Sequence, residues 1–372
     1  AIAEAKSNAT TAPIGLLAAV AVAVASTDAS INVAGNITST NDVYIRSSSD
    51  NTVSATGDAG PQEIQAAVGV AVSVLNSNAT AYIRDTAKIK AGKDVVVLAD
   101  TIDRNVTYAR GTATADGFLG IAAAVSVENG TTQALVDGTV DVGRDARIHA
   151  TQEKQVSKKK GILEIDGVIA HASAGVDSKG DLLDDNQGVA IGQFVVTPLK
   201  NFFGILKEHV KGKSDEAQEK SKEGDKPQIE SFDLSAGVAV AVDHNDVVAR
   251  IGDGSGSYRG KLQAPNGAVE VTAKATNPFN IRASAAAGKP SGQVGTSSGS
   301  TGTETTTGTD ATDKSGADTS KGLFDGAASV AVGVYRMDVD AYIGSQAVVD
   351  AKKALTVQSE ALDDYTSLTK LP

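Results

Sequence analysis

The side chains best suited to chemistry are scattered along this chain. Its four histidines, His149, His171, His209 and His244, have spacings that fit no metal-binding helix. Each is expected to be structural or at the surface. Cysteine is absent, which excludes disulfides, thiolate metal sites and thiol nucleophiles. No Gly-x-Ser-x-Gly elbow, phosphate-cradling loop or dinucleotide fingerprint occurs in a suitable context. The stretch Gly252-Asp253-Gly254-Ser255-Gly256-Ser257 could cradle an ion through its backbone, but it falls where one repeat is longer than its fellows and reads as a turn insertion. The densest acidic run, Gly180-Asp181-Leu182-Leu183-Asp184-Asp185-Asn186, matches neither an EF-hand loop nor a glycine-rich calcium nonapeptide. A weak structural calcium ion is the most such oxygens would hold. No catalytic, cofactor-binding or metal-ligating residue is assigned, and the chain is expected not to be an enzyme.

One set of acids does have a regular spacing. Asp42, Asp94 and Asp145 fall 52 and 51 residues apart. Each follows a small or polar turn residue and precedes a β-rich run, as in Gly92-Lys93-Asp94-Val95-Val96-Val97 and Gly143-Arg144-Asp145-Ala146-Arg147-Ile148. Recurrence at one equivalent position marks a repeat turn rather than a unique cluster.

The elements around those turns repeat too. An Ala/Val strand occurs five times, as Ala19-Val20-Ala21-Val22, Ala71-Val72-Ser73-Val74, Ala124-Val125-Ser126-Val127, Ala239-Val240-Ala241-Val242 and Ala331-Val332-Gly333-Val334. A polar turn is expected next, then a second strand such as Ala81-Tyr82-Ile83, the Asp turn with a third strand, and a weaker fourth run such as Asn105-Val106-Thr107-Tyr108-Ala109. The unit is about 50 residues long. Its Ala/Val strand puts Val on one face and Ala, Gly or Ser on the other, with no charge on either. That pattern predicts burial on both faces, with Val72 and Val125 between layers. A unit that cannot cover its own apolar faces must be completed by its neighbours. The expected fold is all-β, a parallel β-helix in which each unit supplies about two coils; an array of antiparallel sandwiches is the rival.

Composition agrees with thin, close-packed layers. Aromatic residues make up 4% of the 372, with no Trp and one Met, so bulky core anchors are scarce. The formal net charge of −11 and a pI near 4.9 oppose binding to nucleic acid or anionic lipid. The most apolar stretch runs only from Ile14 to Ala25, short of the ~20 residues a spanning helix needs. Membrane insertion is not expected. The first residues, Ala1-Ile2-Ala3-Glu4-Ala5, read as strand rather than as a signal segment, so the repeats are expected to continue in a longer polypeptide or to associate with identical copies.

Two insertions divide the repeats. Repeats 1 to 3 occupy residues 1–194, repeat 4 residues 232–288 and repeat 5 residues 322–372. Residues 195–231 hold a short amphipathic helix, with Thr197 as N-cap, Pro198 at the first helical position and apolar residues at 199, 202, 203, 206 and 210, followed by a charged loop. Residues 289–321 are almost wholly Ser, Thr, Gly and Asp and are expected to form an extruded loop. The Asn-x-Ser/Thr triplets at Asn8, Asn36, Asn78, Asn105 and Asn129 are expected at turns and strand edges.

The chained pattern Ala-Ala-Val-Gly-Val-Ala-Val-Ser-Val, Ala-Thr-Ala-Tyr-Ile and Ile-Lys-Ala-Gly-Lys-Asp-Val-Val-Val-Leu-Ala resembles the repeats of giant Gram-negative surface exoproteins, the leukotoxin-type and filamentous-haemagglutinin-like adhesins. The resemblance covers the repeats and leaves the two insertions outside. It implies secretion to the bacterial cell surface, a β-helical shaft, and a role in adhesion, biofilm or filament formation, with host or cell-surface glycans as partners. It carries over no functional residue. A β-helical enzyme acting on acidic polysaccharide is the alternative, and it would need acids and basic residues gathered on one face of adjacent coils.

Overall fold

The computed structural model describes residues 1–7, 16–59, 66–114, 119–155, 170–177, 232–253, 259–278, 281–286 and 324–364. The expected helix within 195–231, the Ser/Thr/Gly segment 289–321, the acidic run 180–186 and His209 lie outside them. Among the described residues the secondary structure is strand without helix, and the strand pairings are parallel. They form three sheets.

Sheet I holds five long strands, β2 (Leu16–Val33), β5 (Ala66–Ile83), β8 (Leu119–Val136), β12 (Phe232–Ile251) and β16 (Phe324–Ile343), in the spatial order β16-β12-β8-β5-β2. The Ala/Val repeats sit in register, so that Val22, Val72, Val125, Val240 and Val332 form one row across the sheet. Sheet II holds the short strands β3 (Asn36–Ser39), β6 (Lys88–Ala91), β9 (Thr139–Val142), β13 (Lys261–Ala264) and β17 (Val348–Ala351). Sheet III is built on β1 (Ile2–Ser7), β4 (Val43–Ala59), β7 (Val95–Thr114), β10 (Ala146–Lys154), β14 (Val269–Pro278) and β18 (Leu355–Asp364). Two further strands, β11 (Ala170–Asp177) and β15 (Ile281–Ala286), continue the lines of β10 and β14; β11 pairs with the second half of β7 and with β15.

Each unit therefore contributes one long strand, one short strand and one long stretch of sheet III, and makes a single pass through the three sheets. Two coils per unit were expected. The difference arises because the polar residues read as turns lie inside continuous strands. Asn76-Ser77-Asn78 falls within β5, and Asn51 falls within β4. Alternation of side chains continues unbroken through both, which is what an extended strand requires. Asn105, expected at an edge, is buried in the middle of β7 and hydrogen-bonds Ser73 and the Val127 carbonyl.

The interior changes character along the strands. Where sheets I, II and III meet, it is filled by large side chains, including Ile45, Ile83, Ile89, Val97, Ile148, Ile251 and Leu262. Toward the other edge sheets I and III converge, and the filling is almost entirely alanine, with Ala23, Ala55, Ala71, Ala109, Ala124, Ala172 and Ala239 in contact. At the narrowest point only glycine fits. A Cβ on Gly57 would lie 2.0 Å from the Val70 carbonyl oxygen, one on Gly69 1.9 Å from that of Arg110, and one on Gly111 1.7 Å from that of Ile121. The two sheets touch there backbone to backbone, far inside the ~10 Å spacing of ordinary stacked sheets.

Burial of the Ala/Val strands on both faces was expected, but only one face is in the core. The small face points inward, with Ala71 and Ser73 fully buried, while Val72 and Val125 are half-exposed on the outer face. On the edge strand β2 the outward Val20, Val22 and Val24 are 60%, 56% and 60% exposed. At the positions of Ala71 and Ser73 the gap between the sheets favours small side chains over valine, and the larger Val53 and Leu75 fill the same cluster where it widens.

The turns leading into sheet III repeat an equally tight device. The Asp94 amide donates to Asp42 Oδ1 at 3.0 Å, the Asp145 amide to Asp94 Oδ1 at 3.2 Å and the Ala268 amide to Asp145 Oδ1 at 2.9 Å. Each carboxylate thus satisfies a backbone donor in the next unit. Burial pushes the Asp94 carboxyl up, but the Asp145 amide and the Arg144 guanidinium outweigh it and hold the group below the usual range.

If the narrow edge is closed by backbone contact, Gly111→Val must force the sheets apart, whereas Val22→Thr exchanges one exposed side chain for another. The first is expected to cost ~3 kcal/mol or more and the second under ~0.5 kcal/mol. Urea unfolding midpoints of the two variants check this. Equal midpoints would mean that the small face is not the inner one.

Candidate functional site: a buried charged ladder between sheets I and III

Midway between the bulky and the alanine-filled regions, the inward-facing positions are polar. In sheet III the column contains Asn51, Asp103 and Lys154, which pair across β4, β7 and β10. Facing it in sheet I, Glu128 of β8 pairs in register with Asp243 of β12, and beside that pair Ser77, Gly130 and Asn245 form the next column. Strand alternation brings all of these to the interior, and parallel register stacks them from unit to unit.

The groups are joined into a network. Asn51 Nδ2 donates to Ser49 Oγ at 2.9 Å and to Asp103 Oδ1 at 2.8 Å, while Ser77 Oγ donates to Asp103 Oδ2 at 2.6 Å. In the next units Gln152 Nε2 donates to Asn245 Oδ1 at 2.7 Å, Asn245 Nδ2 to Asp243 Oδ1 at 2.8 Å, and Asn277 Nδ2 to Asp243 Oδ2 at 2.5 Å. Lys154 lies at the centre, with Nζ 3.0 Å from Glu128 Oε1 and also in contact with Asp243 Oδ2. The side chains of Lys154, Glu128 and Asp243 are 5%, 3% and 2% exposed. Gly130 leaves the space the ladder needs, because a Cβ there would lie 2.2 Å from Gln152 Nε2 and 2.6 Å from Asn245 Oδ1.

Charge is unevenly matched. One lysine faces three carboxyls, Asp103, Glu128 and Asp243, in a region that disfavours unpaired charge. Burial pushes Glu128 up to about 7 against the pull of Lys154, and the neighbouring Asp243 and Asp103 carboxylates add to the rise. Burial also raises Asp103, despite its hydrogen bonds from Ser77 and Asn51. Burial lowers Lys154, but Glu128 and Asp243 outweigh it and leave the ammonium above the ordinary lysine range. Chemically, this is an ammonium and carboxyl groups held together out of water, with Glu128 the group pushed toward neutral pH.

The sequence-derived candidates are not gathered here. His149 is half-buried on the outer side of β10 with Nε2 3.5 Å from Glu270 Oε1, His171 is buried edge-on against Tyr108 with ring centroids 5.3 Å apart, and His244 is exposed on β12. Gly252 adopts a φ of 69°, the left-handed turn conformation its place between repeat strands calls for, and residues 254–258 lie outside the described set. Among the described residues no group of His, Asp and Glu is arranged to hold a metal ion. Sequence reading missed the ladder because its members come from different units. A second ionic clamp was missed for the same reason: Asp137 accepts from Arg250 Nη1 at 2.5 Å and from the Tyr82 hydroxyl at 2.6 Å. The signal that was available is the even parity of Asn51, Ser77, Glu128 and Lys154 with the buried positions of their strands. A shallow surface groove, lined by Thr139, Arg259, Gly260, Lys261, Gln346 and Val348, lies at sheet II and includes no carboxylate.

Compared with known proteins, the chain matches no family model, no curated protein and no solved structure.

The raised Glu128 gives stability an unusual pH dependence. Between its ordinary value of 4.5 and about 7 the folded chain keeps a proton that the unfolded chain has lost, so stability falls as pH rises through that window and the loss is complete above it. The raised Asp103 acts in the same direction. The urea midpoint is expected to be higher near pH 5 than near pH 8, and Glu128→Gln should flatten the slope. A midpoint that climbs across the window would contradict the assignment.

Proposed function

We propose that the chain is part of a parallel β-helix, wound as one coil per unit, that serves as the structural shaft or filament-forming segment of a large secreted surface adhesin. The observation that carries this reading is the register of equivalent strands through all three sheets. Each unit presents to the next the same rows of backbone donors, small inner side chains and turn carboxylates. Such an array transmits structure along its length with no special central element. Among the described residues β2 and β16 pair on one side only, so both faces of the stack offer unpaired backbone groups to a further unit of the same polypeptide or to a second copy. The acidic net charge suits solubility. Secretion to the bacterial surface, support of adhesion or biofilm, and contact with host or cell-surface glycans follow from the resemblance of the repeats.

The non-enzymatic reading is supported by where the titratable groups are. Among the described residues, the cluster of Lys154, Glu128 and Asp243 is enclosed between sheets, out of reach of a polymer. Turnover of any acidic polysaccharide in a panel would overturn it.

Two measurements test the shaft. The isolated chain is expected to sediment with a weight that rises with concentration, and electron microscopy should show rods of uniform width and variable length; a strict monomer at the highest soluble concentration would reject end-to-end stacking. EDTA is expected to leave Tm within about 2 °C, and a fall of more than about 5 °C would reveal a structural calcium ion.

A further inference from the structure

The arrangement of Lys154, Glu128 and Asp243 goes beyond what holding two sheets in register requires. We propose that in the folded chain Lys154 Nζ condenses with the side-chain carboxyl of Asp243 to form an intramolecular amide, with Glu128 carrying the protons. The cross-link would join β10 to β12 and close covalently the loop that contains residues 156–169 and 178–231.

Four features of the cluster point to a reacting centre. Lys154 Nζ contacts Asp243 Oδ2 and lies 3.0 Å from Glu128 Oε1, so the nucleophile, the electrophile and a proton carrier meet at one point. Both Nζ and Glu128 Oε1 are buried without a hydrogen bond of normal geometry, so the ion contacts among Lys154, Glu128 and Asp243 are the only partners shown for these two atoms among the described residues. Asp243 differs from the other acids here in that both its oxygens accept from buried side-chain amides, Oδ1 from Asn245 and Oδ2 from Asn277. Those donors polarise the carboxyl and stabilise negative charge as it develops on oxygen. Finally, the site excludes water: Lys154 rests as the ammonium beside its carboxylates, but burial narrows the cost of passing its proton to Asp243 and leaves no solvent to compete as nucleophile. Held reactants of this kind reach effective concentrations of about 10⁵ M or more.

The step balances without an outside reagent. A proton passes from the Lys154 ammonium to the Asp243 carboxylate, giving a neutral amine and a neutral acid. The Nζ lone pair attacks Asp243 Cγ; Glu128, protonated near neutral pH, gives its proton to the departing hydroxyl and takes one from the nitrogen. The Cγ–O bond breaks, the Nζ–Cγ bond forms, one water leaves, and Glu128 ends as it began. Nothing is oxidised or reduced.

The test does not depend on the adhesin reading. Intact mass spectrometry of the purified, folded chain held at neutral pH is expected to show a mass lower by one water, and proteolysis should yield a branched peptide joining the Lys154 and Asp243 segments. Lys154→Met should restore the full mass, which separates the cross-link from dehydration elsewhere, and Glu128→Gln should slow its formation about 100-fold or more while the chain keeps its β-sheet circular dichroism. A wild-type chain that keeps its full mass after prolonged incubation overturns the proposal even if the variants fail to fold. Loss of ammonia instead of water, or a branch at Asn277 or Asn245, would overturn Asp243 as the electrophile.

Discussion

Contact between the backbones of sheets I and III at Gly57, Gly69 and Gly111 is the constraint on which the rest of the molecule depends. A gap that accepts only a hydrogen at its narrowest favours small side chains just beyond, and alanine predominates on the inner faces of the long strands there. The gap turns the valines of the Ala/Val strands outward, and it explains how a chain nearly free of aromatics can be densely filled. The sheets then diverge until isoleucine, valine and leucine are needed, and the short strands of sheet II form the third wall at the wide end.

Between those extremes lies a zone too wide for alanine and lined by serine, threonine, asparagine and charged groups. Polar side chains there are tolerable because parallel register supplies each with a partner one unit away, as Asn51 finds Asp103 and Gln152 finds Asn245. The same stacking would place like charges over one another if the column repeated without change. It does not. Lys154 follows Asp103 in sheet III, and Gly130 follows Ser77 in sheet I; where two acids do stack, Glu128 on Asp243, Lys154 reaches both from the facing sheet. Similar units thus become distinguishable at their centres, which sets neighbour against neighbour in one register only.

The repeat, its length and the role of Asp42, Asp94 and Asp145 were legible because turn chemistry recurs at fixed spacing in the sequence. The all-β character and parallel sheets were legible from the alternation of Ala and Val. What misled was the meaning of polarity. Asn76-Ser77-Asn78 looks like a turn because polar residues usually lie outside; here the strand runs straight on, and Ser77 points to an interior that has hydrogen bonds ready for it. Val72 looks like core because it is the larger residue, yet the space behind the strand decides which face goes in. The triad of Lys154, Glu128 and Asp243 could not be read at all, since Glu128 and Lys154 sit in different sheets of one unit and Asp243 in the next, and only the packing of β8, β10 and β12 brings them together.

The narrow edge has one more property. Chain passes from sheet III to sheet I there in every unit, through residues 8–15, 60–65, 115–118, 178–231 and 287–323, and these connections range from a few residues to several dozen. Sheet I nevertheless keeps its register across the longest of them, with Val125 opposite Val240 and Val240 opposite Val332. Growth of the chain at this rim leaves the stacking untouched. Chain length at this rim is thus free to change over evolutionary time while the interior preserves the same cross-section beneath it.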